Sequence, residues 1–270
     1  MDPSESARAR TPTRRRVLQA LLGLAPPALS GCAGGAAGAR PPPLPAGLRE
    51  GAQRPWLLPD HLAAADGGAP AYRRMQVAVP HAYAMSREPW PLLVFLHGAG
   101  ERGTDIEDVK RCGPPLLAEQ GVAFPMLVCS PQADPGTRWQ PERLHALVSV
   151  LAQQFSIDPG RVLATGLSLG GSGAWRWACE YPQDLAAIAP ICGSCDAAAV
   201  AAMRDVPVRA YHGDQDPLVP LARQQACVAE LQRQGGSASL TIFPGVGHDS
   251  WTPAYADPAL VPWLLRQRRA

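Results

Sequence analysis

"ATGLSLGGSGAW", residues 164–175, sets one hydroxyl among glycines where an apolar run meets a helix-like run. Ser168 gains almost nothing there by packing. "RVLATGLS" before it reads as a strand, and "GSGAWRWACEYP" after it as a helix. "GLSLG", residues 166–170, fits G-x-S-x-G, a pattern in which strand turns sharply into helix and the serine occupies a strained corner. Gly166 and Gly170 flank the serine because a Cβ at either place would clash as helix and strand close up. The turn thrusts the Ser168 oxygen outward. It also aims the first helical N–H groups, starting with Leu169, at the same spot, where they and the helix dipole favour a developing oxyanion. Gly-Ser turns are common, so the weight lies in the strand predicted before the motif and the helix predicted after it.

Outward from this turn the pattern alternates. "YRRMQVAVP" has the period of a strand. "PLLVFLHG" and "FPMLVCSPQ" are continuous apolar strands, as expected where both faces are covered. Leu144, Leu147, Val148, Leu151 and Phe155 recur at helical spacing. "LAAIAPICG", "VPVRAYHG" and "ASLTIFPG" read as further strands, and "PLARQQACVAELQRQGG" as a helix closed by Gly235. A helix from about Pro258 to Arg268 follows. Strands alternating with helices predict an α/β class with a mostly parallel sheet wrapped on both faces and no inserted cap domain. Sites in such sheets lie beyond the carboxyl ends of the strands. The loops after "VFLHG", "ATGLS", "RAYHG" and "TIFPG" are therefore the ones to search.

A serine is a poor nucleophile without a base. Of six histidines, His61, His81 and His145 lie outside these loops. His97 and His212 both stand in "HG" at strand ends, where the ring is expected to brace a turn. His248, in "FPGVGHDSW", follows the last strand with glycines on its approach, and is the candidate base. Its ring needs an acceptor to fix the tautomer. "HGDQDPLVP" offers Asp214 and Asp216, and Asp216, further out in the loop, is preferred. Asp249, beside His248, is expected to cap or to face water. The second oxyanion donor is expected from "HGAGERGTD", with the Ala99 amide first and Gly100 second. Glu101 and Arg102 there are read as an ion pair that shapes the loop, with substrate binding as the sharper alternative. Trp139 and Trp251 are candidates to line a substrate groove, whereas Trp175 reads as core.

The chain has 270 residues, 46% hydrophobic and 18% charged, which suits a sizeable core. Its N-terminus differs. "ARARTPTRRRVLQALLGLAPPALSGC" combines a basic run, a short apolar run and a small-residue exit, the pattern of an export signal. Pro26 and Pro27 interrupt the apolar run, so it is too short to span a bilayer. "TRRRVLQ" resembles a twin-arginine signal carried by Arg14 and Arg15, with Val17 where Phe is usual. "LSGC" resembles a bacterial lipobox, which implies cleavage before Cys32 and a lipid on its thiol. The alternative is a basic arm that binds nucleic acid. Residues 1–31 carry a net +3 (five Arg against Asp2 and Glu5), so the remainder of the +2 chain carries about −1 and has no basic footprint for nucleic acid. The expected organisation is a signal over 1–31, a lipidated Cys and flexible tether over 32–46, and one catalytic domain over 47–270. The mature protein is expected in the bacterial cell envelope, held at a membrane by its lipid and acting as a monomer.

Six cysteines follow Cys32, at 112, 129, 179, 192, 195 and 227. An oxidising envelope permits disulfides, but sequence does not choose the pairs. Cys129, in a strand, and Cys227, on a helix face with Leu231, are expected to be buried thiols. "CGSC" at 192–195 has redox or zinc spacing but no second Cys or His pair nearby, so turn and packing are the expected roles and no metal is assigned.

"LLVFLHGAGERGTD", "PGRVLATGLSLGGSGAW", "AAIAPICG", "HGDQDPLVP" and "PGVGHDSW" together resemble the α/β-hydrolase superfamily. The likeness is to its predicted-peptidase, feruloyl-esterase-like and polyhydroxyalkanoate-depolymerase-like branch, over about residues 70–268. The resemblance implies an α/β-hydrolase fold and a triad in the order Ser168, Asp216, His248. It also implies hydrolysis of a small acyl, feruloyl or hydroxyalkanoate ester without a cofactor. Leu169 stands where many relatives have Met. A serine peptidase and a non-catalytic envelope binding protein are the alternatives.

Overall fold

The structure, a computed structural model, describes residues 40–63 and 70–269. The signal, Cys32 and the first part of the tether lie outside the described residues. In chain order the elements are β1 (Gln53–Leu57), α1 (Asp60–Ala63), β2 (Arg74–Ala78), β3 (Trp90–Leu96), α2 (Gly113–Glu119), β4 (Leu127–Pro131), α3 (Pro141–Gln154) and β5 (Ile157–Leu167). There follow α4 (Leu169–Glu180), β6 (Ala187–Ile191), β7 (Val208–Gly213), α5 (Leu221–Arg233), β8 (Ala238–Phe243), α6 (Trp251–Tyr255) and α7 (Leu260–Arg266).

The strands form one eight-stranded sheet in the order β1-β2-β4-β3-β5-β6-β7-β8. β1, β2 and β4 pair antiparallel, and every pair from β4 through β3 to β8 is parallel. Parallel neighbours end on the same edge, so the loops after β3, β5, β7 and β8 gather along one rim. β1 was not legible as a strand, because Pro55 interrupts it. Proline is tolerated there because β1 is an edge strand, with one side free of ladder bonds.

Both faces of the sheet are covered, as the unbroken apolar runs predict. In β3, Leu92, Val94 and Leu96 point into a core with Trp139, Trp175 and Trp177. Leu93 and Phe95 point into a second core with Leu163, Leu167 and Tyr211 on the opposite face. Each such aliphatic or aromatic side chain, when fully buried, stabilises the fold by roughly 1.5–3 kcal/mol. α3 starts on Pro141 at its first turn and buries Leu144, Leu147, Val150 and Leu151. Gly235 closes α5 with φ +81°, a conformation that penalises any side chain with a Cβ. Among the described residues there is no inserted cap domain, and no helix is long and apolar enough to cross a membrane.

Cys227 departs from the buried thiol expected of it. Cys227 is buried on α5 beside Leu231, but it is not a free thiol: it is bonded to Cys195. The loop after β6 turns back onto α5 and brings the two Cα atoms to 6.3 Å. Cys192 and Cys195 therefore do not pair with each other, and Cys129 and Cys192 are buried free thiols.

Candidate active site

Ser168 sits between β5 and α4 with φ 54° and ψ −114°, a left-handed conformation that a residue with a Cβ rarely adopts. The surrounding packing imposes it. A Cβ on Gly166 would lie 2.6 Å from the backbone of Gly170 and 2.7 Å from the carbonyl oxygen of Leu96. A Cβ on Gly170 would overlap the same Leu96 carbonyl outright. Strand β3, strand β5 and helix α4 meet backbone to backbone, which holds the serine at the corner.

The rim loops converge on it. Ser168 Oγ is 2.9 Å from His248 Nε2, and His248 Nδ1 is 2.7 Å from Asp216 Oδ2. Nδ1–H donates to the carboxylate, which leaves Nε2 free to accept the Ser168 proton. Asp216 Oδ1 accepts the backbone N–H groups of Leu218 at 2.9 Å and Val219 at 3.0 Å. Burial opposes the charge on Asp216. The His248 hydrogen bond and these two N–H groups outweigh burial and hold the carboxyl below its ordinary range. Asp214 is committed elsewhere, accepting the Gly245 N–H at 2.7 Å. Asp249 caps α6 by accepting from the N–H and hydroxyl of Thr252.

Ala99 and Leu169 line one groove with Ser168, with a cavity volume of about 740 Å³. Neither backbone N–H has an acceptor among the described residues. Gly100 is not part of the groove wall. Trp139 is part of it, though almost wholly buried, and its Nε1 donates to the His97 carbonyl. Trp251 is outside the groove wall and packs edge-on against His248, with ring centroids 5.5 Å apart. Trp175 is fully buried in the core.

The loop that carries Ala99 is not shaped by a Glu101–Arg102 ion pair. Arg102 instead donates to the carbonyls of Ala99 at 3.0 Å and Thr137 at 3.1 Å. Gln132, which sequence did not single out, pins the loop by donating to the carbonyls of Glu101 and Asp105. His97 braces it as expected: Nδ1–H donates to the Gly98 carbonyl at 2.6 Å and Nε2 accepts the Ala133 N–H at 3.0 Å. Burial is the chief reason its pKa falls to about 4; the Gly98 bond opposes the fall and Arg102 adds to it. The ring is neutral at pH 7.

Cys192 Sγ, an Asp216 oxygen and a His248 nitrogen lie within 4.8 Å of one another. These groups are a poor fit to a cation. Burial pushes the Cys192 thiol up to about 12, and His248 Nδ1 carries the proton given to Asp216.

A parallel-rich sheet with a Ser-His-Asp cluster on its carboxyl rim is the arrangement of the α/β-hydrolase fold, and the chain has that fold. More narrowly, residues 131–255 match the dienelactone hydrolase family. "Putative esterase NocK" of Nocardia uniformis subsp. tsuyamanensis is 30% identical over 141 residues, 48% of this chain and 41% of that one. A solved thermostable esterase is 30% identical over 73% of this chain and 59% of that one, with a TM-score of 0.62. The chain thus spans less than two thirds of the length of either relative. The feruloyl esterase module of Clostridium thermocellum shares the fold at 15% identity, covering 87% of this chain and 97% of that one, with a TM-score of 0.60.

Proposed function

We propose that this protein hydrolyses carboxylic esters through an acyl-enzyme intermediate on Ser168. The observation that carries this reading is the relay from Ser168 Oγ to His248 Nε2 at 2.9 Å and from His248 Nδ1 to Asp216 at 2.7 Å. His248 takes the serine proton as Oγ attacks the ester carbonyl, and returns it to the leaving alcohol. Asp216 orients the ring and offsets the charge it gains. The amides of Leu169 and Ala99 receive the oxyanion. Water, deprotonated by His248, then releases the acid and restores Ser168. The esterase descriptions of the two 30% identical relatives support ester over amide substrates. Acetyl, feruloyl and hydroxyalkanoate esters are the substrate classes to compare. A fluorophosphonate probe should label Ser168, and nitrophenyl esters should turn over faster than the matching anilides. Absence of labelling in folded protein would make this a binding protein instead, and faster anilide turnover would make it a peptidase.

The sequence over residues 8–32 further supports export and attachment to the cell envelope by a lipid on Cys32. Mass spectrometry of the expressed protein tests this: a diacylated N-terminal Cys32 is expected, lost in Cys32→Ser.

A further inference from the structure

Asp216 does not serve His248 alone. Its Oδ2 also lies 3.2 Å from Nε2 of His212, and both side chains are wholly shielded from solvent. His212 Nε2 is in addition 2.9 Å from the Val219 carbonyl oxygen. Its other nitrogen, Nδ1, is 3.3 Å from Gln224 Oε1. The Gln224 amide is not free to turn over. Its Oε1 accepts the Gly193 N–H at 3.0 Å, and its Nε2 donates to the carbonyls of Tyr211 and Pro190. A flipped amide would set a donor against the Gly193 N–H and an acceptor against two carbonyls.

Both ring nitrogens of His212 therefore face acceptors. A neutral imidazole offers one donor and one acceptor, and only imidazolium offers two donors. His97 shows the contrast in the same fold, with an acceptor on one side and an N–H on the other. A buried cation also needs a paired anion, and Asp216 is in contact. The other titratable groups around the cluster do not take that place. His248 shares the carboxylate, and burial keeps the Cys192 thiol protonated. Asp214 and Asp249 are held by Gly245 and Thr252, and Arg223 on α5 is exposed.

We propose that His212 is a positioning residue, a buried imidazolium that shares Asp216 with His248, fixes the carboxylate, and keeps His248 in its basic form to lower pH. The two nitrogens touch the same oxygen at 3.2 and 2.7 Å, so the rings are near neighbours. A cation at that range opposes protonation of His248. This inference rests on the reading of His248 as the base.

The test is His212→Gln, which keeps an N–H donor of similar reach and removes the charge. The acid limb of kcat/KM for nitrophenyl acetate should move upward by about one to two pH units. A purely structural role lowers kcat without moving that limb, and an unmoved or downward-shifted limb overturns the proposal. Nitrogen-15 NMR of the wild-type imidazoles gives an independent reading that needs neither turnover nor a folded variant. Two protonated nitrogens on His212 at pH 7 support the proposal, and one protonated nitrogen sinks it. Without ester turnover, the reading of His248 as the base fails separately, and the proton count on His212 still decides its charge.

Discussion

His97 gives the sharpest test of the loop that carries the Ala99 amide. In the folded protein its pKa falls from 6.5 to about 4, chiefly through burial. The unfolded chain takes up a proton near 6.5, while the folded protein resists it until about pH 4. Stability from this group is therefore complete above pH 6.5 and is lost as pH falls toward 4. The gap is about 2.5 pH units at about 1.36 kcal/mol each, less the half-protonation reached at pH 4, so about 3 kcal/mol is lost. His97→Gln removes the titration while leaving an oxygen to accept the Ala133 N–H. Urea unfolding followed by tryptophan fluorescence would be run on both proteins at pH 7.5 and pH 4. The variant should be the less stable at pH 7.5, because it loses the edge-on contact of the ring with Trp139 at 4.8 Å. Between the two pH values the wild type should lose about 3 kcal/mol more than the variant. Other titrating groups cancel in the difference. If the two stability curves run parallel to within about 0.5 kcal/mol, His97 titrates as it does in the unfolded chain, and the account of this loop fails.

Ser168→Ala should lower kcat by about 10³-fold to 10⁶-fold with the fold intact by circular dichroism, and near-normal turnover would remove Ser168 from the chemistry. Asp216→Asn should cost on the order of 10⁴-fold in kcat by presenting the wrong His248 tautomer. Asp214→Asn should leave turnover within about tenfold, since its carboxylate only receives the Gly245 N–H. Replacing Cys195 and Cys227 together by Ser opens a link across 32 residues and should cost about 3–4 kcal/mol in chemical unfolding. A loss under about 1 kcal/mol would mean that the bridge adds little to folding.

Much of this site is legible in the order of the residues. G-x-S-x-G between a strand and a helix places Ser168, because the only economical way to join those elements so closely is a turn with no Cβ on either flank. His248 and the HGDQD segment follow from the rule that parallel strands deliver their loops to one rim. The remainder depends on contacts between distant segments. Pro55 hides β1, since an edge strand tolerates what an interior strand forbids. Gln132 and Arg102 act on backbone carbonyls, which carry no residue-specific signal. The Cys195–Cys227 bond depends on how the loop after β6 folds onto α5.

Residue order alone specifies the alternation of strands and helices, the strained serine turn and the loops that compete for the site, because these are set by local sterics and by the periodicity of apolar residues. Folding in three dimensions settles which carboxylate meets His248, which cysteine meets Cys227, and that two histidines share Asp216. Those choices turn on distances of a few ångströms between loops far apart in the chain, where a hydrogen bond is either made or lost.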